Sequence, residues 1–299
     1  MKISSLDDLI TIAKSKPKRR IVVAAASDEM VLKAVYKAYL EGIVEPILIG
    51  IESEIRKICD NNLIDVSQFE IINEKDPAII TKIAVRKIKN GEAAILMKGK
   101  ISSAPLLKAI LDKKEGLKKS DLLSHFALMQ TSYYHKVFGI TDAGMNINPS
   151  LHEKIKIIEN ATEVFHKLGN AMPKIAILGP LETVNEKIQS TVDAFELKKM
   201  QLNNMIKGCI IDGPFALDNA VSKKAARFKG IISDVAGDAD ILVVPDLNSG
   251  NILYKSLIFL SDAISAAIIT GAQVPVVLTS RADSDRSKLY SIALAAALD

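Results

Sequence analysis

The sequence predicts an α/β fold built as two α/β/α lobes with a cleft between them. Three observations lead there. Short apolar runs rich in Val, Ile and Ala recur along the chain; amphipathic helical stretches separate most neighbouring runs; and several runs end in hydroxyl, amide or charged residues. Alternating strands and helices mark a largely parallel sheet with helices on both faces. Polar residues at the carboxyl ends of such strands face the crevice where open α/β sheets bind ligands.

Each element follows from its own pattern. Ile21–Ala26 reads as the first buried strand, and Asp28 starts a helix reaching about Leu40. Pro46–Ile49 is the second strand, followed by a helix near Glu52–Asn61, and Phe69–Ile72 is the third. Asp76-Pro77 opens the next helix, with Asp at the cap and Pro at the first helical position. Ala93–Met97 is the fourth strand, and a helix follows from about Ser103. The rhythm falters between about Ser120 and Asn146, where Leu122–Met129 and Lys136–Ile140 read as two strands joined by a short polar connection. Helix Ser150–Leu168 restarts it. Strands follow at Ile175–Leu178, Gly208–Ile211 and Ile241–Val244, and helices at about Asn185–Gln201, Ala216–Arg227 and Asn251–Ala267. Val274–Leu278 is the final strand, before a last helix. The falter places the change of lobe: residues 1–130 with 271–299 form one lobe and 131–270 the other.

Composition narrows the function. Hydrophobic residues at 48% and charged residues at 25% are the balance of a soluble globular protein. Aromatics are only 5% with no Trp, which leaves few platforms for stacking bases, and the net charge of +4 is mild; no nucleic-acid partner is expected. The cluster Lys14, Lys16, Lys18, Arg19 and Arg20 reads first as a solvated helix end and second as an aid to attracting an anionic substrate. The most apolar region, Ala263–Leu278, is interrupted by Gly271, Gln273 and Pro275; it reads as a buried helix, a turn and a strand, and no membrane span is expected. Cys59 and Cys209 are too few for a disulfide framework or a zinc site, and both are expected to pack as small apolar residues. The start of the chain carries Asp7 and Asp8 and lacks a secretory apolar core, so the cytoplasm is the expected location.

The strand ends carry the chemistry. Ala93–Met97 leads into Lys98-Gly99-Lys100 and then Ser102 and Ser103 at a helix start, where free backbone N–H groups and a lysine favour an anion. The P-loop spacing is missing, and Ser103 serves equally well as a plain cap. Ser124 and His125 are adjacent in a strand and point to opposite faces, which makes them a poor nucleophile–base pair. Thr141-Asp142-Ala143-Gly144-Met145-Asn146 lets a ligand approach the backbone, but a tight turn needs the same residues. Asp212-Gly213-Pro214 is a turn signal. Asp238, Asp240 and Asp246 suggest a divalent cation, yet Asp238 and Asp246 lie at opposite ends of one strand, and no metal cage is expected. Asn248-Ser249-Gly250-Asn251 precedes a long helix and is a second candidate anion or nucleotide-tail site. After Val274–Leu278 come Thr279, Ser280, Arg281, Asp283 and Ser284: hydroxyls, a guanidinium and a carboxylate able to hold an anion and move a proton.

Taken in order, Lys98-Gly99, Ser124-His125, Thr141-Asp142-Ala143, Glu182-Thr183-Val184-Asn185, Asp212-Gly213-Pro214-Phe215-Ala216-Leu217-Asp218-Asn219-Ala220, Val235-Ala236-Gly237-Asp238-Ala239-Asp240, Ser249-Gly250-Asn251-Ile252-Leu253-Tyr254-Lys255 and Thr279-Ser280-Arg281-Ala282-Asp283-Ser284 resemble the phosphate acetyl/butyryltransferase family, with the phosphate butyryltransferases as the nearer branch. The resemblance covers nearly the whole chain. It implies a two-lobed fold of the isocitrate/isopropylmalate dehydrogenase type and reversible acyl transfer between coenzyme A and inorganic phosphate. Coenzyme A is then substrate and product, and no cofactor is tightly bound. It assigns Ser280 and Arg281 to the cleft, with a nearby Asp as base for the thiol. The acetyl enzymes carry that Asp several residues further on, where this chain has Ser287, so Asp283 and Asp285 are the candidates and Asp283 is preferred. Lys98, Ser103, Thr141, Asp142 and Asn251 are the expected coenzyme A contacts. Butyryl-CoA and phosphate are the expected partners, in a homodimer or larger assembly. The competing readings are a phosphate acetyltransferase, a dehydrogenase of the same fold, for which no grouped carboxylates are seen, and a noncatalytic acyl-CoA sensor.

Overall fold

The computed structural model of the chain describes residues 3–278 and 283–298. In chain order the elements are α1 (Asp7–Lys14), β1 (Arg19–Ala24), α2 (Glu29–Leu40), β2 (Val44–Gly50), α3 (Glu52–Asn61), β3 (Glu70–Asn73), α4 (Pro77–Lys89), β4 (Ile95–Lys98) and α5 (Ser103–Ile110). Then come β5 (Ser124–Gln130), β6 (Phe138–Thr141), α6 (Leu151–Lys167), β7 (Lys174–Leu178), α7 (Gln189–Leu202), β8 (Ile210–Phe215), α8 (Leu217–Val221), α9 (Lys223–Phe228) and β9 (Ile241–Val243). The chain ends with α10 (Leu247–Leu260), β10 (Ile264–Thr270), β11 (Val276–Val277) and α11 (Asp285–Leu298).

These elements form two compact units, Leu6–Asp121 with Ala266–Asp299 and Met1–Ser5 with Leu122–Ser265. β5 runs antiparallel to β6, with Ala127 opposite Ile140, and that ladder groups residues 122–130 with the second unit. The chain passes from the second unit to the first inside β10, between Ser265 and Ala266.

In the first unit the strands follow the order β3-β2-β1-β4-β11 and run parallel. Ile21–Ala24, Ile47–Ile49 and Ile95–Met97 are wholly buried, as strands covered on both faces must be, and this is why they read as unbroken apolar runs. Asp28 caps α2 by accepting from the Val31 N–H at 3.0 Å, and Asp76 caps α4 ahead of Pro77. α11 is unusual: every residue from Ser287 to Leu298 is buried, against α1 and α2 among others. Much of that stretch is Ala and Leu, and it has no polar stripe to turn toward water. The basic cluster spans the start of β1: Lys14, ahead of the strand, meets Glu41 at 2.7 Å, and Arg20, within it, meets Glu70 at 2.5 Å.

In the second unit β6, β9, β7 and β8 are parallel neighbours in that order, with β5 antiparallel at β6. Three features depart from the sequence reading. Asp212-Gly213-Pro214 lies inside β8 instead of turning after it. β8 is the edge strand, so Pro214 removes no ladder bond a second neighbour would need, and the register against β7 shifts between Ala176 and Leu178. Ala216–Arg227 is two short helices, broken where Ser222 accepts from the Ala225 N–H and caps α9. The helix expected over Asn251–Ala267 stops at Leu260. There Ser261 Oγ donates back to the Leu257 carbonyl at 2.5 Å, and Asp262 is tied by Thr131 Oγ1 at 2.5 Å. The residues after it form β10, which turns at Gly271 (φ +87) into antiparallel β11, so Ala263–Leu278 is strand, turn and strand.

Asp238 and Asp240 sit at the amino end of β9 and are engaged by lysines. Lys174 Nζ reaches Asp238 at 2.6 Å, and Lys136 Nζ reaches Asp240 at 2.7 Å. Burial raises the Asp238 carboxyl, but the hydrogen bonds from Lys174, His135 and Lys136 outweigh it and hold the group well below the usual carboxylate range. Asp246, beyond the other end of the strand, caps α10.

Candidate active site

In the first unit the carboxyl ends of β1, β4 and β11 are neighbours. Ala24 pairs beside Lys98 and Val277 beside Met97, so the segments after these strands leave from neighbouring positions. The order β3-β2-β1-β4 reverses direction between β1 and β4, the switch point at which open sheets take ligands. The two loops there are locked together. Gly99 N–H donates to the Ala24 carbonyl at 2.8 Å and Lys100 N–H to the Ala25 carbonyl at 2.7 Å. A side chain at Gly99 would meet the Ala25 oxygen at 2.1 Å, so only glycine fits. Lys98 is buried, and its ammonium donates to the carbonyls of Gly99 (3.2 Å) and Ile101 (3.0 Å), bracing the loop that leads to α5. Ser102 is the cap of α5 and makes no side-chain capping bond; Ser103 is half-buried in the first turn.

Ser280 and Arg281 lie outside the described residues. Asp283 is described and is buried. It precedes Ser284, which caps α11 by accepting from the Ser287 N–H at 3.1 Å. Lys288, only 2% exposed, reaches back to donate to the Asp283 main-chain oxygen at 2.5 Å. Asp285 is the first residue of α11 and half-buried, and its Oδ1 has no hydrogen-bond partner among the described residues.

In the second unit Thr141 ends β6, and its hydroxyl donates to the His125 carbonyl at 2.8 Å. Asp142 is 2% exposed, and its carboxylate gathers the loop that follows. It accepts from the Gly144 and Met145 N–H groups at 2.8 and 2.9 Å and from the Asn146 side chain at 2.5 Å. The carboxylate therefore shapes the turn, one of the two readings the sequence allowed. The first turn of α10 packs on this loop: a side chain at Gly250 would meet the Asp142 carbonyl oxygen at 2.8 Å. Asn251 follows it and is half-buried. His125 stands on the same side, its ring 3.1 Å from where a Gly144 side chain would begin and 6.0 Å from the Tyr254 ring centre. Ser124 faces the other way and is fully buried, accepting from Asn160 Nδ2 at 3.0 Å. The strand thus separates the Ser–His neighbours as alternation requires.

Sequence reasoning missed a buried ion pair in this unit. Lys154 of α6 and Asp193 of α7 meet at 2.5 Å with side chains 5% and 6% exposed, and Gln189 Nε2 donates to the other carboxylate oxygen at 2.8 Å. Lys154 shares a helix stripe with Ile157, Ile158 and Ala161. A lysine on an apolar stripe was the available signal. Burial pushes Asp246 up, but the Ser249 hydroxyl and the N–H groups of Ser249 and Asn248 outweigh that and leave its carboxyl below the ordinary range, with a smaller contribution from Lys154. Two distant motifs also join. Asn219 Nδ2 donates to Glu182 Oε1 at 2.5 Å, and Lys229 pairs with the same oxygen, which depresses the Glu182 carboxyl. Neither cysteine is primed for attack. Burial, with Asp60 close by, pushes the Cys59 thiol up to about 11, and burial raises Cys209 as well.

Comparison with known proteins covers almost the entire chain. Residues 5–82 and 77–296 match the family described as phosphate acetyl/butaryl transferase. A phosphate acetyltransferase of Thermotoga maritima is 45% identical across 97% of this chain and 98% of its own length. A phosphate butyryltransferase of Clostridium beijerinckii is 41% identical across 98% of this chain and 97% of its own. Among solved structures, a branched-chain phosphotransacylase from Enterococcus faecalis superposes with a TM-score of 0.83 at 36% identity, covering 94% of this chain and 98% of that one.

Proposed function

The chain belongs to the phosphate acetyl/butyryltransferase family, and we propose that it moves a short acyl group reversibly between coenzyme A and inorganic phosphate. The observation that carries this is the near full-length match to transferases of both acyl types, at 45% and 41% identity. Butyryl-CoA is the proposed preferred substrate. Acetyl-CoA is expected to react as well, because one methylene changes binding by only about 1–3 kcal/mol in an apolar pocket.

The mechanism is direct attack within a ternary complex. Arg281 and backbone N–H groups hold phosphate or the acyl phosphate, a geometry that suits a guanidinium fork. In the direction of acyl-CoA synthesis Asp283 takes the thiol proton as sulfur attacks the carbonyl of the acyl phosphate; the C–S bond forms, the C–O bond to phosphate breaks, and inorganic phosphate leaves on Arg281. Ser280 hydrogen-bonds the developing oxyanion or the thiolate. Lys98, Ser103, Thr141, Asp142 and Asn251 serve coenzyme A, with Asp142 acting through the loop it shapes. No acyl-enzyme forms, in keeping with two buried thiols of raised pKa.

A thiol-release assay with butyryl-CoA, run with and without phosphate, tests the reading. Thiol is expected only when phosphate is present. Tight coenzyme A binding with no phosphate-dependent release would make the protein a sensor instead.

A homodimer or larger assembly belongs to the same proposal. α10 is largely apolar, yet Gly250 is its one buried residue, and Ile252, Phe259 and Leu260 are 65%, 64% and 85% exposed. An exposed set of this kind suits a subunit contact. Light scattering at assay concentration should find a dimer or larger species, and a monomer removes this part. The reading also places the protein in the cytoplasm. Both cysteines are free, and among the described residues no helix is long and apolar enough to cross a membrane.

A further inference from the structure

Lys288 occupies a place where two physical effects oppose a cation. It is 2% exposed, so its ammonium has left water. It also lies in the first turns of α11, at the end where the helix dipole disfavours positive charge. Its neighbours along the helix show that packing alone did not require a lysine, since Leu289, Ile292 and Ala293 fill equally buried positions with apolar groups. Among the described residues the ammonium has one hydrogen-bond acceptor, the main-chain oxygen of Asp283. The side chain runs back toward the start of the helix, the direction helical side chains take, and ends on the residue proposed as base.

The helix that carries Lys288 is itself held in place. Ser291 Oγ accepts from the Ala267 N–H of β10 at 2.9 Å, Tyr290 is bonded to Asp7 of α1, and Arg286 Nε donates to the Tyr290 hydroxyl at 2.8 Å. α11 is therefore a fixed support, and Lys288 is the strut from that support to the segment preceding it. The Ser284 cap secures the start of the helix, whereas Lys288 secures the residue just before the cap.

We propose that Lys288 is a positioning residue for acyl transfer: its buried ammonium grips the Asp283 carbonyl and so sets where the Asp283 carboxylate stands against the coenzyme A thiol. This rests on the proposed role of Asp283. The bond that Lys288 makes is to the Asp283 main chain and not to its carboxylate. Loss of the strut leaves substrate binding in place and degrades the alignment on which proton removal depends.

Lys288→Met is expected to lower kcat at least about tenfold, with KM for coenzyme A and for acyl phosphate within about threefold of wild type. A merely structural role moves stability, or kcat and KM together, and does not give that split. In an Asp283→Asn background Lys288→Met is expected to add less than about a threefold further loss, because the two act through one group. A folded Lys288→Met enzyme with kcat within about twofold of wild type, or a full additive loss in the double variant, overturns the proposal. Should the Met variant fail to fold, Lys288→Arg keeps a cationic donor. It is expected to retain kcat within about threefold, and a folded Arg variant that loses tenfold or more overturns the proposal. Failure of the functional reading looks different, since the wild-type protein would then show no phosphate-dependent thiol release.

Discussion

Arg281→Ala is expected to weaken phosphate use by at least about tenfold, read as a fall in kcat/KM for phosphate with coenzyme A binding retained. Truncating one partner of a desolvated charge pair costs about 2–5 kcal/mol, whose lower end is about thirtyfold, so a tenfold loss (about 1.4 kcal/mol) is a threshold set below that range. A guanidinium is suited to this place because two parallel N–H groups match two phosphate oxygens, which an ammonium cannot do. Arg281→Lys should therefore recover only part of the loss. Steady-state kinetics with phosphate as the varied substrate decides the matter. A folded alanine variant with ordinary phosphate kinetics would end the assignment.

Asp283→Asn is expected to depress turnover by about 10²-fold or more, the usual span for a general base, while KM changes little. The contrast with Asp285 makes this specific. Asp285 is the first residue of α11, where a carboxylate offsets the positive end of the helix for about 0.3–1 kcal/mol. Asp285→Asn should therefore reduce the melting temperature slightly and leave kcat near wild type. If Asp285→Asn abolishes turnover and Asp283→Asn does not, the base has been assigned to the wrong carboxylate.

The parallel core was legible because its signals are local. Val22, Val23, Ile47, Leu48, Ile95 and Leu96 are buried on both faces of a sheet, and such strands read as unbroken apolar runs. Asp28, Asp76-Pro77 and Ser150 announced their helices through cap chemistry that acts within a few residues. The helix expected over Asn251–Ala267 runs into the strand Ile264–Thr270, because a short apolar run has no period that separates the two states. What decided it was a partner strand, with Ile269 opposite Val276. Asp212-Gly213-Pro214 carried a strong turn signal, and its place on an edge strand overrode that signal.

For the candidate site the division is similar. Residue types and their order along the chain named Lys98, Thr141, Asp142, Asn251, Ser280, Arg281 and Asp283, and through them the family. No pattern in the sequence showed that Asp142 spends its carboxylate on the loop at 144–146, that Gly99 sits against the Ala25 carbonyl, or that Lys154 pairs with Asp193. Nor did it show that Lys288 ends on the Asp283 backbone. The chain by itself determined which chemical groups are available and which elements carry them, because propensity, periodicity and capping are short-range properties. The tertiary structure alone decided which of those groups are held by other residues and which are buried. Hydrogen bonding and desolvation depend on neighbours brought close by folding, from positions as far apart in sequence as 154 and 193.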